Sequence, residues 1–249
     1  MRLTLAEPRL LRESVNILSE LVTEVTIKVD KDKIEILAID PANVALVDFK
    51  LLSSAFLEYA VPKPHELAVN LEYLRSVLKR AKPTDAVTLA LDEKTNRLQV
   101  VLVGEGKRTF NLPQIRIDEG EQKVPALTFA VRVTLPSTRF DEVIEDMSVV
   151  SESLSLTGMP EKFLVQAESH QRDAIVEIPA GGETAVQLVE GEKLTSKYSI
   201  EYLRKIAKAG KLADLVVLEF GNDYPLHLEY KLMDRLRLSF ILAPRVSND

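Results

Sequence analysis

The chain repeats itself at a fixed distance, and this constrains its fold more than any single motif. Leu71-Glu72-Tyr73-Leu74-Arg75-Ser76-Val77-Leu78-Lys79 returns 129 positions later as Ile200-Glu201-Tyr202-Leu203-Arg204-Lys205-Ile206-Ala207-Lys208. The register continues without a gap, with Lys82 on Lys211, Asp85 on Asp214, Val87 on Val216 and Leu89 on Leu218. The same shift lays 34–49 over 163–178 and 8–22 over 137–151. Self-similarity at one offset marks a structural unit used more than once. A length of 249 residues accommodates two such units, each of about 125 residues. They are expected at 1–117 and 127–249, joined by a connector over 118–126 whose start, Asp118-Glu119-Gly120-Glu121-Gln122-Lys123, is polar and acidic.

Within each half the apolar pattern predicts a helix, a run of strands, a second helix and more strands. Helices are expected over 8–22, 71–81, 137–150 and 200–210. Leu74, Val77, Leu78 and Ala81 recur at helical spacing as a buried stripe, and Leu203, Ile206, Ala207 and Gly210 do the same in the second half. Strands are expected at 24–29, 34–39, 44–49, 97–103, 108–115, 162–168, 173–178, 215–220, 226–231 and 236–243, separated by turns such as Lys94-Thr95-Asn96. Strands in consecutive runs favour antiparallel sheets with helices on one face, an α+β class.

Net charge is −6, a balance that by itself argues against nucleic-acid binding. The distribution reverses that reading. Residues 71–82 hold Arg75, Lys79, Arg80 and Lys82 against Glu72, and 200–211 hold Arg204, Lys205, Lys208 and Lys211 against Glu201. A basic row at helical spacing suits a phosphate backbone, whose binding is electrostatic and indifferent to sequence. A single such row is more often a solvated helix face, but here it occurs twice at equivalent positions. Helix 8–22 adds Arg9 and Arg12, whereas helix 137–150 is acidic, with Asp141, Glu142, Glu145 and Asp146.

An enzyme finds little support. There is no cysteine, which removes disulfides, thiolate metal sites and a cysteine nucleophile together. His65, His170 and His227 show no metal-ligand spacing. Gly104-Glu105-Gly106-Lys107 lacks the spacing and following hydroxyl of a phosphate loop and reads as a hairpin turn. No metal and no cofactor are expected. The N-terminal residues do not form a secretion signal, and no apolar run is long enough for a membrane span.

Five segments resemble the archaeal and eukaryotic proliferating cell nuclear antigen family. They are Ile39-Asp40-Pro41-Ala42-Asn43-Val44-Ala45-Leu46-Val47; the basic segment Asn70 to Ala81; Thr109-Phe110-Asn111-Leu112-Pro113 leading to Val124-Pro125; Tyr224-Pro225-Leu226-His227-Leu228-Glu229-Tyr230; and Phe240-Ile241-Leu242-Ala243-Pro244-Arg245. They span nearly the whole chain in order. The resemblance implies the DNA-clamp (processivity) fold: three subunits head to tail in a ring around double-stranded DNA, bound without sequence preference and without catalysis. On it, the DNA-facing residues would be Arg9, Arg12, Arg75, Lys79, Arg80, Lys82, Arg204, Lys205, Lys208 and Lys211. A pocket for partner peptides would use Ile39, Asn43, Val44, Leu46, Val124, Pro125, Pro225, Ile241, Leu242, Ala243, Pro244 and Arg245. Implied partners are a DNA polymerase, a clamp loader, and proteins of the flap endonuclease and ligase type in replication and DNA repair. The implied location is cytoplasmic and nucleoid-associated, in an archaeal-type cell.

One departure concerns the acidic helix, which would repel DNA where the family often presents basic residues. It is expected instead at the subunit seam, where Glu142 and Asp146 would meet Arg80, Lys82 and Arg108 of the next copy. Strand 107–113, with Phe110 and Leu112, would pair with 172–178, which holds Ile175. This self-complementarity favours a homotrimer over the alternative, a subunit of a heterotrimeric or checkpoint-type clamp.

Overall fold

A computed structural model describes residues 1–117, 120, 122–189 and 191–245. Of the expected connector, Asp118, Glu119 and Glu121 lie outside the described residues. The chain divides into two compact units: Met1–Pro41, Val47–Val124 and Leu232–Leu238 form the first, and Ala42–Leu46, Pro125–Lys231 and Ser239–Asp249 the second.

In the first half the elements run β1 (Arg2–Leu5), α1 (Arg9–Leu18), β2 (Glu24–Val29), β3 (Lys33–Ile39), β4 (Ala45–Leu52), β5 (Glu58–Ala60), β6 (His65–Asn70), α2 (Leu71–Leu78), β7 (Ala86–Asp92), β8 (Arg97–Val103) and β9 (Lys107–Pro113). The second half runs β10 (Val131–Pro136), α3 (Ser137–Ser148), β11 (Ser153–Met159), β12 (Lys162–Glu168), β13 (Asp173–Pro179), β14 (Ala185–Leu188), β15 (Leu194–Ser199), α4 (Ile200–Ala207), β16 (Leu215–Phe220), β17 (Leu226–Leu232) and β18 (Leu236–Leu242). A shift of 129 carries α1 onto α3, α2 onto α4, β2 onto β11, β3 onto β12, β6 onto β15 and β7, β8 and β9 onto β16, β17 and β18.

Strand order obeys the same repeat. The orders β5-β1-β7-β8-β9 and β4-β3-β2-β6 in the first half correspond to β14-β10-β16-β17-β18 and β13-β12-β11-β15 in the second. The registers between consecutive strands are antiparallel, for example Leu89 opposite Val100 and Val165 opposite Val176. β9 and β13 are each hydrogen-bonded along one side only among the described residues. Their repeat counterparts differ. β18 lies beside β4. Within the first unit the Leu52 amide donates to the Arg235 carbonyl, and within the second the Ala243 amide donates to the Val44 carbonyl.

The helical stripes are buried as their spacing requires: Leu74, Val77, Leu78 and Ala81 in the first unit, Leu203, Ile206 and Ala207 in the second. The expected helix ends are corrected. α2 stops at Leu78, so Arg80 and Lys82 lie in the following turn. α4 gives way at Lys208–Lys211 to a 3₁₀ turn. The tighter winding, three residues per turn, moves the buried position from Gly210 to Ala209, in line with Ile206 and Leu212. Gly210 then lies against Ser137 at the start of α3, where a Cβ would come within 3.0 Å. The expected list also lacked several strands, among them β1, β5, β10 and β14. β1, β5 and β14 hold only three or four residues each and give little to read, whereas β10 alternates Val131, Val133 and Leu135 with Arg132 and Thr134, a period the expected list lacked.

A buried acidic side chain fixes the β8–β9 end of the first unit. Asp85 is 1% exposed, accepts the Lys82 amide at 2.8 Å and pairs with the Arg108 guanidinium. A Cβ at Gly104, in the β8–β9 turn, would collide with the Asp85 Oδ1. Gly104→Ala is therefore expected to lower stability by about 2 kcal/mol, as overpacking does, read by denaturant unfolding. The helix caps make a second test. Asn70 caps α2 by accepting the Glu72 amide at 2.9 Å and the Tyr73 amide at 3.3 Å, whereas Ser199 makes no side-chain cap to α4. Asn70→Ala should cost about 1 kcal/mol and Ser199→Ala clearly less. Equal losses would contradict this assignment.

Candidate nucleic-acid and partner interfaces

Most of the expected basic residues stand on or just after the second helix of each half, because the apolar stripe turns the polar flank outward; Arg9 and Arg12 stand on α1. In the first unit Arg9, Lys79, Arg80 and Lys82 are exposed and Arg12 and Arg75 half-buried. Arg75 is held between elements, its Nε donating to Asn16 of α1 at 3.3 Å and its Nη1 to Glu72 at 3.0 Å. Arg12 pairs with Glu13 at 3.2 Å. Lys79 and Arg80 have no acidic partner among the described residues. In the second unit Arg204 reaches across to α3 in a two-pronged contact with Glu145, at 2.8 and 3.0 Å. That hydrogen bond raises the guanidinium pKa still further, so its charge is permanent. Lys205 donates to Glu201 at 2.8 Å and stands 5.4 Å from the centre of the Tyr202 ring. Its hydrogen bond holds the Glu201 carboxyl below the usual carboxylate range. Lys208 and Lys211 are exposed on the 3₁₀ turn.

The Arg204–Glu145 pair was not visible in the sequence, and together these pairs partly neutralise the rows. Exposed pairs of this kind contribute at most about 1 kcal/mol each. A phosphate can therefore exchange with the carboxylate for the same cation at little cost.

The expected seam residues are also engaged locally. Lys82 pairs with Glu105 at 2.9 Å, and Arg108 donates to the Arg80 carbonyl at 2.9 Å besides pairing with Asp85. On β9, Arg108, Phe110 and Leu112 are half-buried on one face. On β13, Ala174 and Val176 are half-buried on one face and Ile175 is 55% exposed on the other. Their repeat counterparts on β4, Ala45, Val47 and Leu46, are all buried. On α3, Glu142 and Asp146 are exposed, with Arg139 3.5 Å from Glu142.

The expected peptide-pocket residues divide between the units. In the first, Ile39 is half-buried and Val124 exposed. In the second, Asn43 takes a left-handed backbone, φ 57°, and leaves Val44 to accept the Ala243 amide. Val44, Pro225, Ile241, Ala243 and Pro244 are half-buried, and Pro125 and Arg245 exposed. Leu46 and Leu242 are core residues and offer almost no surface. Sequence reading did not single out Phe129, which packs edge-on to Tyr224 and stacks on His227 at 5.8 Å. His227 in turn lies 2.8 Å from Glu219, so its ring has a structural role. Among the described residues no cluster of acidic and histidine side chains is arranged to hold a metal ion. No described helix is long and apolar enough to cross a membrane.

Comparison with known proteins agrees with this architecture. The family model for the proliferating cell nuclear antigen N-terminal domain matches residues 1–120, and that for its C-terminal domain matches 123–245. A DNA polymerase sliding clamp of Nanoarchaeum equitans is 32% identical over 247 residues, covering 98% of this chain and 99% of that one. A DNA polymerase sliding clamp of Pyrococcus furiosus is 34% identical over 228 residues, covering 92% and 91%. The crystal structure of PCNA from Thermococcus kodakaraensis superposes with a TM-score of 0.91 at 27% identity, over 98% of this chain and 99% of that one. Matched along both halves, in sequence and in fold, the chain belongs to the proliferating cell nuclear antigen family.

Proposed function

We propose that this protein is a DNA polymerase sliding clamp: three copies close head to tail into a ring that encircles duplex DNA and tethers the polymerase. It is a processivity factor and performs no catalytic step. The observation that carries this reading is the unequal treatment of equivalent strands. β4 and β18 are neighbours within the chain, whereas β13 and β9, their counterparts 129 positions away, each keep one side open. A second copy offering β9 to β13 would repeat the internal pairing, bury Val176 and Phe110, and leave the same two edges for a third. Such a heterologous contact generates a ring when its rotation closes and removes edges that otherwise invite aggregation. The acidic residues Glu142 and Asp146 would then meet Arg80, Lys82 and Arg108 across the seam.

Residues 1–117 and 127–249 are the two clamp domains of each copy, with 118–126 connecting them. Arg9, Arg12, Arg75, Lys79, Arg80, Lys82, Arg204, Lys205, Lys208 and Lys211 make weak, exchanging phosphate contacts that hold the duplex without stopping it. A peptide from a polymerase, clamp loader, flap endonuclease or ligase docks on the half-buried second-unit surface of Val44, Pro225, Ile241, Ala243 and Pro244. Tethering raises the partner's effective concentration on DNA. The site of action is the cytoplasm, at the nucleoid.

Light scattering on the purified protein should give a mass near three times 27.9 kDa. Val176→Asp, or Glu142→Lys with Asp146→Lys, should move it toward the monomer while circular dichroism stays native. A parent that is monomeric at every concentration rules out self-closure. Replacing Lys79, Lys82, Lys208 and Lys211 together by Ala should shorten processive synthesis several-fold with the mass unchanged. Full processivity in that variant would remove the pore assignment.

A further inference from the structure

A concavity of about 880 Å³ in the second unit opens where the C-terminal end of α3 meets the N-terminal end of α4, and none of the residues assigned above except Arg245 belongs to it. Its cations are Arg172 from the β12–β13 turn, Lys197 on β15 just before α4, and Arg245 after β18. Two contacts fix their positions. Arg172 Nη1 donates to the Val149 carbonyl at 3.1 Å, at the end of α3, and the Arg245 amide donates to the Lys197 carbonyl at 2.7 Å. Neither the Lys197 ammonium nor the Arg245 guanidinium forms an ion pair among the described residues. Ser151 accepts the Ser153 amide, which leaves its hydroxyl proton to donate into the space. The acids in the lining are Glu152 and Glu168, and His170 adds a titratable ring.

The internal repeat supplies a control for this charge. Shifted back by 129, His170, Arg172 and Lys197 become Pro41, Asn43 and Ala68, while Arg245 becomes Arg116. Over the same set of positions the first half has Glu20, Glu24 and Asp40 as its acids. The fold is common to both halves, so it does not demand the cations. Two of them, Arg172 and Lys197, have been placed at one end of one helix pair where the equivalent positions are neutral. The cavity continues the basic flank of α4: Arg245 lies close enough to the first turn of that helix to favour ionisation of Glu201.

We infer that this concavity binds a backbone phosphate of the nucleic acid as a strand leaves the basic row of α4; the inference rests on the DNA-encircling reading. Lys197 and Arg245 supply the charge, Arg172 and the Ser151 hydroxyl supply directed donors, and Glu152 and Glu168 keep the grip weak enough for exchange. The full-length protein with Lys197→Gln and Arg245→Gln keeps both side-chain stems. Its affinity for a labelled linear duplex, followed by fluorescence anisotropy, should fall on the order of tenfold at low salt. The slope of log affinity against log salt should drop by about one, for the one lost phosphate contact. Melting temperature and light-scattering mass should match the parent.

Lys205→Gln with Lys208→Gln and Lys211→Gln serves as the reference for the row itself. If the row variant loses the duplex and the cavity variant binds it with parental affinity and slope, the cavity assignment is overturned and the clamp reading stands. If neither variant changes duplex binding, the clamp reading falls and takes this site with it. Inorganic phosphate, titrated at constant ionic strength, separates the source of the anion. A cavity variant that loses phosphate binding and keeps the duplex would mark a free-anion site and overturn the nucleic-acid assignment.

Discussion

A strand's outward row of amides and carbonyls has to be hydrogen-bonded to something, and the two halves of this chain meet that requirement differently. At β4 and β18 the requirement is met within the chain: β18 runs beside β4, and the apolar residues of β4 are covered. At β9 and β13 the same chemistry is left open. The remaining features follow from this difference. The duplication supplies two matching edges, and the half-buried rows on β9 and β13 give them something to bury. Asp85 ties Arg108 and the turn after α2 to the strand that must offer itself.

Charge is handled by exchange rather than by accumulation. A net charge of −6 would keep a protein away from DNA if it were evenly spread. The cations are concentrated on or after α2 and α4, and several are held by carboxylates in pairs that are exposed and cheap to break. Arg204 shows the compromise most clearly. Its contact with Glu145 fastens α4 to α3, and in the proposed ring the same exposed guanidinium would take a phosphate. A duplex that meets such a surface is held by many small, replaceable interactions, which suits movement along it.

Much of the fold was legible because it is written twice. The 3.6-residue spacing of Leu74, Val77 and Leu78 and its echo at Leu203, Ile206 and Ala207 located α2 and α4. The offset of 129 placed the strands relative to them. The ends of those helices were read too long, since Arg80, Lys82, Lys208 and Lys211 keep a helical rhythm of charge after the backbone has turned or tightened. Short strands such as β5 carry too few residues to show a period. The site was legible as composition but not as contacts. Nothing local reveals that Arg204 will find Glu145, 59 residues away, or that Lys197 and Arg172 will share one concavity.

The unlike edges β9 and β13 also bear on genetics. In the proposed ring every copy lends one edge and receives another, so a chain with a spoiled β13 still has a sound β9 and still enters an assembly. There it occupies a place without passing the closure on. In a cell making sound and spoiled chains in equal amounts, roughly one ring in eight would consist of sound copies alone. A lesion on one edge would thus act dominantly, harming the products of the intact allele, whereas a lesion that unfolds the whole chain would be recessive.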